Sequence, residues 1–226
     1  AWQLRDPRAF LEALLAHWAQ SVEGNVTESL DEVSQTLVVL LQANPALSPH
    51  VAAMGYLTKL LKAVPSPLAE VQKCAAQAVR VLSESQEVVQ SMRALDCVAP
   101  LLSAMKSAPS VCTLILPSLT NMAAAPEIVQ KAYEAELVPF VLGLLSGGLE
   151  QCDDPSAVKA HAVKLLKTLS NDLRLGPTIA GVLEEDAVWA NYKAQDHDLF
   201  LAPDANAGLL TQGGVGAAGR IGLLTG

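Results

Sequence analysis

At 226 residues the chain is long enough to bury a core, as one solenoid or as one to two compact domains. It is 51% hydrophobic but only 4% aromatic, so Ala, Leu and Val must fill that core, which favours closely packed helices over a β-sandwich. The formal net charge of -8 argues against nucleic acid or an anionic membrane surface as a partner, and no apolar run approaches the roughly 18 to 20 residues that span a bilayer.

The chain opens AWQLRDP, without Met or a signal-peptide pattern, as expected of a segment cut from a longer protein. Residues 1–22 read as an N-terminal helix. SLDE at 29–32 then fits a capping box, in which Ser29 and Glu32 satisfy each other's free backbone donors. Leu30, Val33, Leu37, Leu40 and Leu41 follow on one helical face. SPLAEV places Ser66 as N-cap and Pro67 at the first helical position. Leu68, Val71, Ala75, Ala78, Val79 and Leu82 recur behind it at three- and four-residue steps. DDPSAV repeats the logic with Asp154 and Pro155, leading into Val158, Ala162, Leu165, Leu166 and Leu169. Strand signals are nearly absent, so the chain reads as all-α.

An internal repeat organises these helices. EVVQ at 87–90 recurs as EIVQ at 127–130, 40 residues on, and the same offset pairs Val79 with Leu119, Leu82 with Met122 and Val98 with Val138. Three helix openings also resemble one another: GYLTKLLKAV from 55, DCVAPLLSAM from 96 and AELVPFVLGLL from 135. A period of about 40 with two or three helices per unit is that of armadillo and HEAT arrays, whose units bury their apolar faces by stacking. The expected units are 27–64, 67–107, 108–147 and 155–186. Because the period drifts, a compact irregular bundle is the alternative. SGGLEQCDDP at 146–155 lengthens the last spacing and is a candidate hinge or exposed edge. Beyond residue 201 Gly becomes frequent and the apolar residues lose any helical period, as in a disordered tail.

Motifs that would carry chemistry fail on context. Cys74, Cys97, Cys112 and Cys152 form no C-x-x-C pair and read as small buried residues of a reducing cytosol. GVGAAG at 214–219 has the glycine spacing of a dinucleotide loop but no preceding strand and no following helix. Asp196, His197 and Asp198 suggest a metal, yet neighbours in an extended segment point in alternating directions, and solvated or backbone-capping carboxylates account for them. GLLSG at 143–147 lacks the spacing of a nucleophile elbow. His17, His50 and His161 sit in helical contexts as packing or surface residues. Lys159, Lys164, Lys167 and Arg174 could form one basic groove wall, or simply a solvated helix face. No catalytic residue, metal or cofactor is assigned, and an enzyme is not expected.

Two features remain. Trp189 and Tyr192 are three apart and share a helix face after the acidic EED at 184–186. They read either as an aromatic lid on the last repeat or as an anchor for a partner. GLLT occurs at 208–211 and again at 222–225, so Leu209, Leu210, Leu223 and Leu224 form a duplicated apolar element suited to docking.

The same residues carry a resemblance. Trp189, Tyr192, Lys193, Gln195, His197, Asp198, Leu199 and Phe200, followed by repeated Gly-x-Leu-Thr, resemble the C-terminal end of the large endosomal DnaJ-domain proteins of the receptor-mediated-endocytosis-eight type. WQLRDPRAF at 2–10 and SPHVAAMGYLTKLL at 48–61 also resemble that family's C-terminal helical region. The tail departs from it in having Leu209 and Leu223 where an aromatic is expected; GYLT itself stands at 55–58, inside a helical repeat. The resemblance implies a peripheral protein on the cytosolic face of early endosomes. Its implied partners are the sorting nexin, retromer and WASH machinery, or other domains of the parent chain. Hsp70 is recruited in the family through a J-domain, whose His-Pro-Asp loop this sequence lacks. Direct membrane insertion is not expected of this segment.

The sequence is therefore expected to form an armadillo/HEAT-like α-solenoid of about four repeats over residues 1–201, with a Gly-rich tail over 202–226. Its expected role is a non-catalytic protein-interaction scaffold in endosomal sorting, and the alternative is a generic cytosolic armadillo adaptor. Partner contacts are expected at Trp189, Tyr192, Lys193, His197, Asp198, Phe200 and the four tail leucines.

Overall fold

Asp6 sets the first helix: its carboxylate accepts from the amides of Arg8 and Ala9 at 3.1 Å each, with Pro7 at the first helical position. The structure, a computed structural model, describes residues 6–24 and 30–195. Helix α1 (Pro7–Glu23) packs on α2 (Leu30–Ala43), whose five anticipated face residues are all buried. Ser29 of the expected capping box lies outside the described residues. Later starts follow the sequence to different degrees. Asp154 caps α11 (Pro155–Ser170) as anticipated, accepting from the Ala157 amide at 3.0 Å. Helix α5 (Ala69–Leu82) begins two residues later than Pro67 suggested. The Ser66 hydroxyl does accept from the Leu68 amide at 3.2 Å, but Leu68 stays extended (φ -84°, ψ 114°), so that bond closes a local turn ahead of the helix.

The remaining helices are α3 (Ser48–Ala53), α4 (Tyr56–Ala63), α6 (Gln86–Met92), α7 (Val98–Ser107), α8 (Cys112–Met122), α9 (Pro126–Glu134), α10 (Leu137–Gly143), α12 (Gly176–Glu184) and α13 (Ala187–Ala194). No strand occurs among the described residues. The order is a repeat of one long helix followed by two shorter ones: α2–α4, α5–α7, α8–α10 and α11–α13. The first three groups coincide with the expected units. The fourth runs past residue 186, because α13 supplies its third helix.

Packing follows the same period. The long helices stack side by side, α2 on α5, α5 on α8 and α8 on α11. The shorter ones form a second layer behind them, with α3 against α6 and α4 against α7, and with α4, α7 and α10 each against the long helix that follows. The result is a helical-repeat, solenoid-like architecture. Ala75, Ala76 and Ala78 on α5 have no solvent exposure, and side chains this small let the long helices approach closely. The apolar positions matched at the 40-residue offset are all buried, including Val88, Val89, Ile128 and Val129 of the EVVQ and EIVQ motifs. A single hydrophobic cluster runs from Leu11 to Tyr192, as stacking units without cores of their own require.

Polar ties join successive units. Arg93, at the end of α6, pairs with Glu127 at the start of α9, donating from Nε at 2.8 Å and also from Nη2. Lys131 of α9 donates to the Arg93 and Leu95 carbonyls at 2.7 and 2.6 Å, supplying donors to the end of α6. The SGGLEQCDDP stretch is wound rather than open: a π-type turn over Leu144–Gly148 and a 3₁₀ turn over Leu149–Gln151 continue α10. Leu144 and Leu145 are buried in it. No single described helix is long and apolar enough to cross a membrane.

Candidate interaction surface

Helix α13 carries the first group of anticipated contact residues. Asp186 caps it, accepting from the Val188 and Trp189 amides at 2.9 and 3.0 Å. This fixes the face on which Trp189 and Tyr192 stand, with ring centroids 4.8 Å apart at a 40° tilt. Both rings turn inward, at 4% and 9% exposure, so neither is presented to a partner in this conformation. The Lys167 ammonium of α11 lies 5.7 Å from the Tyr192 ring centroid, and Lys193 pairs with Glu184 of α12 at 2.8 Å. Among the described residues of the expected set, Lys193 is the exposed one. His197, Asp198, Phe200, Leu209, Leu210, Leu223 and Leu224 lie outside the described residues.

A second surface was not anticipated. Each long helix leaves a narrow stripe uncovered on the side away from the shorter helices. On α5 it comprises Glu70, Lys73, Gln77 and Arg80; on α8, Leu114, Pro117 and Asn121; on α11, Ala160, His161 and Lys164. Val39, 62% exposed, lies on the uncovered side of α2. Because α5 packs on α8 and α8 on α11, the stripes adjoin as one surface, the inner face. Pro117 has no amide hydrogen, so the Thr113 carbonyl lacks its regular helical donor on this side. Burial pushes the His161 pKa down first, and the positive charges of Arg80 and Lys164 push it further, against the pull of Asp154.

Of the two readings of Lys159, Lys164, Lys167 and Arg174, the single basic wall does not form, and the solvated face holds for the last three, which are exposed. Lys159 is only 2% exposed, and this burial lowers its pKa; five residues from Lys164 on one helix, it points elsewhere. Lys164 joins the inner face, Lys167 covers Tyr192, and Arg174 sits in the turn after α11, where its charge adds to the Arg93 hydrogen bond that chiefly lowers the Glu127 pKa. A signal for the inner face did exist in the sequence: Lys73, Gln77 and Arg80 recur at helical spacing between the buried positions of α5.

All four cysteines are buried and unbridged. Burial raises each thiol, Cys112 to about 12, where it stays protonated and unreactive at neutral pH. Among the described residues no group of three His, Cys, Asp or Glu side chains could hold a metal ion.

A cavity of about 420 Å³ lies between α9, α10 and α12, lined by Tyr133, Val138, Ile179 and Val182 together with Glu134 and Glu136.

No protein-family profile matches the chain, and neither does any solved structure. A curated protein does: the chain is 25% identical over 280 residues to DnaJ homolog subfamily C GRV2 of Arabidopsis thaliana. The chain is a distant relative of that DnaJ-family protein. The match takes in 96% of this chain but only 11% of the relative, so the chain spans about a tenth of that protein's length.

Proposed function

We propose that this segment is the armadillo-like scaffold portion of a DnaJ-type co-chaperone, supplying protein contacts rather than catalysis. The observation that carries the reading is the row of long helices, which stack by a three-helix period and leave one continuous face uncovered. The distant DnaJ-named relative, similar across 96% of the chain, supports the co-chaperone context. In this reading residues 1–201 form the helical-repeat unit and residues 202–226 a tail that presents GLLT twice. The parent protein resides in the cytoplasm, peripheral to early endosomes, and acts in receptor recycling and endocytosis. Its contacts are sorting nexins with retromer, the WASH complex, or other domains of its own chain. Hsp70 would be engaged only by a J-domain elsewhere in the parent. Lys193, His197, Asp198 and Phe200 with Leu209, Leu210, Leu223 and Leu224 make the contacts at this end, while Trp189 and Tyr192 hold α13 in place behind them.

Proximity labelling by the full-length parent tests this, comparing the intact chain with one lacking residues 202–226 and one with the four tail leucines changed to Ala. Endosomal sorting proteins should dominate the intact neighbourhood and be depleted in both variants. A neighbourhood free of endosomal proteins would favour a generic cytosolic adaptor. An endosomal neighbourhood unchanged by either variant would remove the tail from the reading.

A further inference from the structure

The inner face has an unusual charge distribution for a chain of net charge -8. Lys73 and Arg80 stand on α5, with Glu70 one turn before Lys73 on the same stripe, and His161 and Lys164 stand on α11. Between them α8 carries no charged residue at all, so the middle of the face offers nothing to balance either side. Among the described residues none of Lys73, Arg80 and Lys164 has a carboxylate within 4 Å. Arg80 and Lys164 converge on His161, whose pKa is lowered by burial first and then by both of these charges, against the pull of Asp154. Like charges gathered on one surface repel, and a bound anion relieves that repulsion.

The shape of the face narrows the kind of anion. Adjacent packed helices lie roughly 8–10 Å apart, so crossing from α5 to α8 to α11 takes two such steps. An extended polyproline-II chain has three residues per turn and rises about 3.1 Å per residue. It therefore returns a side chain to the same side about every 9 Å, one helix spacing. A peptide crossing the three helices would set down its first, fourth and seventh side chains on cationic α5, neutral α8 and cationic α11. On α8 the middle side chain meets Leu114 and Pro117, which are apolar and half-buried. The Thr113 carbonyl and the Asn121 side chain offer polar partners for the backbone of such a peptide. Nucleic acid fits poorly, because the uncharged strip interrupts the cations and the rest of the chain repels a polyanion.

We propose that the inner face of α5, α8 and α11 binds an extended acidic peptide of a partner protein, with carboxylates over Lys73, Arg80 and Lys164 and an apolar residue over Leu114 and Pro117. The inference rests on the scaffold reading and names the class of partner that one of its surfaces takes.

The test is fluorescence anisotropy on the whole chain, using the peptide Asp-Glu-Ala-Leu-Ala-Asp-Glu with a neutral dye, and its amide twin Asn-Gln-Ala-Leu-Ala-Asn-Gln. The acidic peptide should bind, weaken as salt is added, and lose roughly tenfold or more in affinity on combining Lys73→Glu, Arg80→Glu and Lys164→Glu. These side chains are exposed, so the variant should melt like the parent. Binding should also raise the His161 titration midpoint followed by NMR. Equal binding of both peptides, or undiminished affinity in a charge-reversed variant of normal melting, would overturn the acidic-peptide assignment. So would failure of the acidic peptide to bind at millimolar concentration. None of these results touches the endosomal neighbourhood, which decides the scaffold reading by itself.

Discussion

The Asn121 side-chain amide donates to the Ser83 hydroxyl across 3.1 Å, joining the end of α8 to the end of α5. Ser83, buried at the helix end, passes the link on by donating to the Arg80 carbonyl at 2.7 Å. One hydroxyl thus serves as both acceptor and donor at the point where two long helices finish. Replacing Asn121 by Ala removes one hydrogen bond of the pair, and replacing Ser83 by Ala orphans the amide. Each should cost about 1 kcal/mol in urea unfolding. The double variant should cost less than the sum, with a coupling of at least about 0.5 kcal/mol. Additive losses would mean that the two side chains do not hold the helices together.

Gly176 owes its place to crowding rather than to backbone freedom. A methyl group added there would come within 2.5 Å of the Ser170 carbonyl oxygen, where the chain turns from α11 into α12. That oxygen belongs to the backbone and cannot swing aside. Gly176→Ala should therefore lower stability by about 1–3 kcal/mol. Gly181, in the same helix, has nothing within 4 Å of the added carbon. There the same substitution should stabilise by about 0.4–1 kcal/mol, since Ala loses less chain entropy on folding. Thermal melts of the two variants should move in opposite directions.

The repeat was legible in the sequence because EVVQ and EIVQ occupy equivalent short helices, α6 and α9, and place Val88, Val89, Ile128 and Val129 in one layer of the core. Helix starts were legible where a carboxylate caps directly, as at Asp154, and less so at Ser66, where an extended Leu68 delays the turn. The inner face was missed for a physical reason. Its residues come from helices some 40 residues apart, and only stacking makes them neighbours. Lys159 fits neither the basic wall nor the solvated face that its spacing suggested, because its distance of five residues from Lys164 carries its side chain round to the buried side of the helix.

His161 gives the inner face a pH signature. Its folded pKa lies below the ordinary imidazole value, through burial first and then Arg80 and Lys164. Between the folded and unfolded values the unfolded chain therefore binds more protons. The stability contributed by neutral His161 is complete above the unfolded value, about 6.5, and is lost as pH falls from there through the folded value. His161→Gln should flatten this part of the stability–pH curve, measured as the difference between variant and parent in urea unfolding. Lys164→Gln should raise the His161 midpoint seen by NMR, because one repelling charge is gone. An unmoved midpoint would show that Lys164 does not face the imidazole.

Trp189 and Lys193 stand on the same short helix and should fail in different ways. Trp189 is almost wholly buried against Tyr192, and α13 holds it there through the Asp186 cap. Truncating a buried Trp removes its transfer energy and leaves a cavity, so Trp189→Ala should cost roughly 3–5 kcal/mol and lower the melting temperature. Lys193 lies on the outer side, paired with an exposed Glu184, and solvent screens such a pair strongly. Lys193→Ala should melt like the parent. If α13 is also a contact element, Lys193→Ala should still weaken the labelling of endosomal neighbours by the full-length protein, an effect without a stability change. Trp189→Ala would lose the same neighbours only together with its fold. The opposite pattern, a normally melting Trp189→Ala that loses partners, would mean that the ring swings out of the core to meet them.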